Sequence, residues 1–164
     1  MFNIGDKVVY PMHGAGVIES IEEKEILDQK QKYYIMKMPI GDIQVMVPTN
    51  NAQEVGMREI IACKDVDRVL NVLSGEQTEM NANWNKRYRE NMDKIKSGNI
   101  FEVAEVVKNL AHKNSSGKGL STGEKKLYNS AKQILVSELV LANQTSKAEI
   151  ENLVNQKLGL TENA

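Results

Sequence analysis

The sequence predicts an α+β fold, with a small antiparallel β unit followed by an all-helical one. Three observations carry this. The first sixty residues hold short β-branched and aromatic runs broken by Pro, Gly and Asp. The remainder shows apolar residues at helical spacing. Three segments in that second half carry the Ser/Asn-x-x-Glu pattern that opens helices.

Taken in order, Lys7-Val8-Val9-Tyr10 reads as a strand stopped by Pro11. His13-Gly14-Ala15-Gly16 is expected to turn, and Val17 to Ile26 to form a longer strand. Asp28-Gln29-Lys30 is expected to reverse the chain into a third strand, Tyr33 to Met38, stopped by Pro39. Gly41-Asp42 makes another turn before Ile43-Gln44-Val45-Met46-Val47, which alternates clearly and stops at Pro48. Val55-Gly56-Met57-Arg58 is a candidate fifth strand. Short strands with frequent turns suggest a strongly bent antiparallel barrel of SH3 or Tudor type.

In the second half, Val66, Val69, Leu70 and Leu73 follow helical spacing up to Ser74-Gly75. A second helix is expected from about Asn83 to Lys96, ending at Ser97-Gly98. Capping boxes at Asn99–Glu102, Ser121–Glu124 and Ser146–Glu149 open three more. Their apolar faces carry Val103, Val106, Val107 and Leu110, then Leu127, Ile134, Leu135 and Leu139, then Ile150, Leu153, Val154 and Leu158. The polar, glycine-rich stretch 114–119 is expected to be an exposed, mobile loop. The switch from β to α near residues 59–65 divides the chain into residues 1–64 and 65–164.

The net charge of -1 conceals an asymmetry. Residues 84–132 hold eleven Lys/Arg against five Asp/Glu, an excess of +6, while the other segments are acidic. Such a block points to a polyanion as partner, although a charge run also serves simply as a solvated helix face. Trp84, the only tryptophan, opens this block in Asn83-Trp84-Asn85-Lys86-Arg87-Tyr88-Arg89. A ring amid amides and cations fits a wedge placed beside a DNA base step while the cations hold phosphates. The plainer alternative is a first-turn ring folded back onto its own domain. Lys125 and Lys126, at the start of the long helix, and Lys118 before it offer a second group of cations. No helix face is rich in Asn, Gln and Arg at i, i+3 and i+4, so backbone and shape recognition is expected rather than a base code.

Catalytic chemistry finds no pattern. His13, His112 and Cys63 are dispersed, so no metal site is expected. Gly117-Lys118-Gly119 lacks the earlier glycine and following Ser/Thr of a phosphate-binding loop. Neither a cofactor nor a small-molecule substrate is expected. The lone cysteine, the absence of an apolar run near eighteen residues and the absence of a secretory signal pattern favour the cytoplasm, without a membrane partner.

Ile4-Gly5-Asp6-Lys7-Val8-Val9-Tyr10-Pro11-Met12-His13-Gly14 resembles the opening of the CarD/CdnL family of bacterial RNA polymerase-binding transcription regulators. So do Val47-Pro48, Asn51-Ala52 and Val55-Gly56-Met57-Arg58. The opening alone is shared with the polymerase-interacting module of transcription-repair coupling factors. The helical half separates the two through Asn83-Trp84-x-x-Arg87-Tyr88, Lys96-Ser97-Gly98, Val103 to Val107, and Gly119-Leu120-Ser121-x-Gly123-Glu124-Lys125.

The resemblance implies a Tudor-like domain that binds the polymerase β subunit and a helical domain that contacts promoter DNA at the upstream edge of the bubble. It implies that Trp84 is a minor-groove wedge that stabilises the open promoter complex. The DNA-facing residues expected are Trp84, Lys86, Arg87, Arg89, Lys125 and Lys126, and the polymerase-facing ones Lys24, Lys37, Gln44 and Met46. Some family members carry Arg where this chain has Met46, so an ionic contact is not implied there. The expected protein is a non-enzymatic regulator, nucleoid-associated through the polymerase. The rivals are a free-standing DNA-architectural protein and a protein-interaction adaptor without a nucleic-acid role.

Overall fold

The computed structural model describes residues 1–41, 43–117 and 119–160. Five strands come first: β1 (Lys7–Tyr10), β2 (Gly14–Ile26), β3 (Gln29–Lys37), β4 (Gln44–Pro48) and β5 (Arg58–Glu59). They form one antiparallel sheet in the order β4-β3-β2-β1-β5. Five helices follow: α1 (Val66–Leu73), α2 (Trp84–Lys96), α3 (Ile100–Ser115), α4 (Thr122–Asn143) and α5 (Lys147–Lys157). The fold class is the expected one, a Tudor-like β unit followed by a helical one. Asp42 and Lys118, expected in a turn and in a cationic loop, lie outside the described residues.

Two turn expectations and one strand expectation need correction. Gly14 and Gly16 belong to β2, and the reversal lies at Pro11-Met12-His13, where Met12 takes φ 75°. The glycines serve close approach instead. A Cβ on Gly16 would lie 2.8 Å from the Lys37 carbonyl oxygen, and one on Gly14 would lie 2.7 Å from the Ser137 hydroxyl. The second hairpin turns at Leu27-Asp28, not at Asp28–Lys30. Both turn residues have positive φ, 51° and 63°, and Ile26 pairs directly with Gln29. That two-residue geometry matches the twist of the flanking strands, so Gln29 and Lys30 are already in β3. The fifth strand is only Arg58–Glu59, because Val55 and Gly56 are in turns, with Gly56 at φ 79°.

Two cores form. Val8, Ile18, Tyr34, Met36 and Val47 fill the β unit. The larger core joins Val69, Leu73, Ile95, Val106, Leu110, Leu135, Leu139 and Ile150 from all five helices. The apolar residues expected at helical spacing are buried in it, apart from Leu153, which packs against it half-buried. All three expected caps are made: Asn99, Ser121 and Ser146 each accept from a first-turn N–H. Only the Ser121–Glu124 pair closes the reciprocal box. Asn114 and Ser115, expected in a loop, extend α3.

The sheet and the helices meet along α4, which packs on β2. The Ala15 N–H donates to the Ser137 hydroxyl at 2.9 Å. Arg58 makes a two-pronged ion pair with Glu138, 2.8 Å on each prong, and the Ile61 N–H donates to the same carboxylate at 2.9 Å. Arg58 also reaches the Gly98 carbonyl at 2.7 Å. The Glu138 side chain is only 2% exposed, so its charge is tolerated because three donors meet it.

Arg58→Ala should lower the unfolding free energy by about 3 kcal/mol, since it strands a buried carboxylate. Lys147→Ala removes an exposed i,i+4 pair with Glu151 at 3.6 Å and should change it by less than about 1 kcal/mol. Urea denaturation of both variants checks the contrast.

Candidate nucleic-acid interface

Trp84 is the first residue of α2. Asn83 caps this helix, its side chain accepting from the Lys86 N–H at 3.1 Å. The position explains the ring's setting, because a first-turn side chain stands at the helix end instead of along a packed face. The indole stacks on Tyr88, four residues on, with centroids 5.2 Å apart and planes 17° from parallel. Its Nε1–H donates to the Ser121 hydroxyl at 2.9 Å. The ring remains 42% exposed. An open groove of about 330 Å³ continues from it along α2 past Tyr88 and Met92 to Lys96.

Ser121 caps α4, so the N-termini of α2 and α4 meet at this ring. Beneath it lies Glu124, 1% exposed. Arg87 donates to this carboxylate at 2.9 Å through Nε and at 3.4 Å through Nη2, and Lys113 donates at 2.9 Å. Burial pushes the Glu124 carboxyl up, but the bonds from Arg87, Lys113 and the Ser121 backbone outweigh it and hold the group down at about 2.

Arg87 is placed differently from the other expected cations. Its side chain is 11% exposed, bound to Glu124 and to the Asn81 and Ala82 carbonyls at 3.2 Å each. It joins α2 to α4 through this carboxylate. The sequence could not show this, since Glu124 lies 37 positions away. Lys86, Arg89, Lys125 and Lys126 are exposed, and none takes part in an ion pair among the described residues. Around a half-exposed aromatic ring, four unneutralised cations can meet phosphates while the ring meets a base.

The sheet carries the other expected residues. Lys37 and Gln44 are cross-strand partners, and Met46 sits two residues along β4 on the same face. Gln44 also donates to Glu19 at 2.9 Å. Lys24 does not join them. It pairs with Gln31, six residues down β3 from Lys37, a separation of roughly 20 Å. β4 is one edge of the sheet, paired only to β3 among the described residues, so its outer backbone groups can take up another strand.

Ser121, Glu124 and Lys113 were not expected to shape this surface. The capping box was the signal for Ser121 and Glu124, and it reported a helix start without its neighbour; Lys113, on α3, had none.

Comparison with known proteins is consistent along the chain. The family description "CarD-like/TRCF RID domain" matches residues 2–61, and "CarD, C-terminal domain" matches residues 68–155. A curated protein of Bacillus subtilis (strain 168), "Putative transcription factor YdeB", is 39% identical over 152 residues, which cover 93% of this chain and 99% of that one.

The depressed Glu124 carboxyl makes stability depend on acid. Its contribution is complete above its ordinary value of 4.5 and is lost as pH falls towards about 2. Urea unfolding free energies should therefore decline between about pH 4.5 and 2, and Glu124→Gln should flatten that decline. Glu105 is also held low, by Lys94 against the opposing effect of burial, so some slope should persist in the variant.

Proposed function

The chain belongs to the CarD family, and on that basis we propose that it is a non-enzymatic transcription regulator that stabilises the open promoter complex. The helical half, residues 65–164, would contact promoter DNA at the upstream edge of the bubble, with Trp84 as a minor-groove wedge. The sheet half, residues 1–64, would bind the polymerase β subunit. The observation that supports this most directly is Trp84, 42% exposed, with Lys86 and Arg89 on α2 and Lys125 and Lys126 on α4 exposed and without an ion pair among the described residues. A core tryptophan would be covered, and a merely solvated basic helix has no reason to present an indole.

The free edge at β4 supports the second contact. Addition of a partner strand uses backbone hydrogen bonds, with side chains at alternate positions setting specificity. Lys37, Gln44 and Met46 would supply that specificity from one face. Met46, 41% exposed, would contribute flexible apolar contact in place of charge. Lys24, well removed along the hairpin, would act only if the partner spans that distance.

Each contact alone can be weak. Once the polymerase is bound, the helical half is held near the promoter, and the second binding event is intramolecular. The open state accumulates because the protein binds it better than the closed one. Such a protein would work in the cytoplasm, nucleoid-associated through the polymerase.

Trp84→Ala should keep the fold and shorten open-complex half-life about tenfold, equivalent to ~1.4 kcal/mol. Circular dichroism and a competitor-challenge decay assay check both halves of the expectation. An unfolded variant, or an unchanged half-life, would refute the wedge.

Binding to bare duplex DNA should be weak, salt-dependent and indifferent to sequence. With Arg87 withdrawn from the surface, the four exposed cations give a slope of log K against log salt of about -3 to -4. Replacing Lys125 and Lys126 with Ala should flatten it by up to about 2. A salt-insensitive affinity, or strong preference for one short duplex without polymerase, would favour the architectural alternative.

A further inference from the structure

We propose that Ser121 is a positioning residue for Trp84, so that the first turn of α4 is a seat fixing the edge that this α2 side chain presents to DNA. The inference rests on the wedge reading above for its consequence at a promoter, but the geometry is independent of that reading.

Three contacts hold the indole. Tyr88 stacks on its face at 5.2 Å. Gly123 lies against the six-membered ring, where an added Cβ would be 3.3 Å from Cζ2. The Ser121 hydroxyl accepts from Nε1 at 2.9 Å. Stacking and the bare glycine surface set the plane of the ring, yet both accept a ring flipped within that plane. Only the hydrogen bond distinguishes the two flips. It turns the Nε1–Cζ2 edge towards α4.

The hydroxyl itself has no freedom left. A serine oxygen offers one donor and two acceptor sites. Here it accepts from Trp84 and from the Glu124 N–H at 3.1 Å, and it donates to the Glu124 carboxylate at 3.3 Å. Glu124 is in turn pinned by Arg87 and Lys113. Arg87 follows Trp84 by three residues on the same helix, so the ion pair that joins α2 to α4 also sets the distance across which Ser121 reaches the ring. A wedge fixed before it meets DNA loses less side-chain freedom on insertion than a free one.

The test uses the full chain and its single tryptophan as reporter. Ser121→Ala should weaken the near-UV circular dichroism of Trp84 and lower its fluorescence anisotropy. It should also shorten open-complex half-life about three- to fivefold, as expected for one lost hydrogen bond. Ser121→Thr, which keeps a hydroxyl and the cap, should restore both. Gly123→Ala improves helix propensity but crowds Cζ2, and should shift the same spectral signals without loss of thermal stability.

Trp84→Phe has no N–H to donate. In that background, Ser121→Ala should leave the half-life unchanged. An equal loss in the Trp84→Phe background would assign Ser121 to capping alone and overturn the proposal. So would an unaltered near-UV band in both Ser121→Ala and Gly123→Ala, whatever Trp84 does at a promoter. A half-life that Trp84→Ala leaves untouched refutes the wedge, while the spectra still decide whether Ser121 seats the ring.

Discussion

Two buried carboxylates on one helix organise this molecule. Glu124 and Glu138 are 1% and 2% exposed and stand fourteen residues apart on α4, about 21 Å along its axis. An unpaired buried charge would cost several kcal/mol, so each position demands a cation. Glu124 takes Arg87 from α2 and Lys113 from α3, and Glu138 takes Arg58 from β5. The first pairing draws the ends of α2 and α4 together beneath Trp84. The second fastens the sheet to the C-terminal third of the same helix. Apolar packing alone would tolerate some sliding of α4, whereas bidentate contacts to buried groups do not.

The consequence is a fixed relation between the two candidate surfaces. The edge strand β4 and the exposed indole are both referred to α4, one through β2 and the Arg58 pair, the other through Ser121 and Glu124. A protein that bridges two partners by weak contacts gains most when its sites match the span between them. Under the proposed function, rigidity would serve that match. The same pairs also reduce the cationic surface, since Arg87 and Lys113 are neutralised inside the fold. Two of the eleven cations in residues 84–132 are thereby withdrawn from the surface.

Much of this was legible one residue at a time. Helix starts at Ser121 and Ser146 follow from side-chain oxygens that satisfy first-turn N–H groups, and α1 follows from the spacing of Val66, Val69, Leu70 and Leu73. The glycines were harder. Gly14 and Gly16 look like turn residues, because the local sequence cannot show that Ser137 and the Lys37 carbonyl crowd them. Leu27 looks like a poor candidate for positive φ, whereas Asp28 tolerates it, and the long β2–β3 pairing imposes it on both.

The order of strands and helices, the burial of their apolar faces and the clustering of charge near Trp84 were properties of the sequence itself, because each depends on neighbours within a few residues. Family membership was legible for the same reason, since its motifs are contiguous. The tertiary structure alone decided which cations face solvent. Arg87 and Arg89 are two residues apart and chemically identical, yet one meets a carboxylate 37 positions away and the other meets water. It likewise turned Ser121 from a helix cap into the acceptor for the Trp84 indole. Long-range partners set both outcomes, and the free energy of burying a charge or orienting a ring depends on who those partners are.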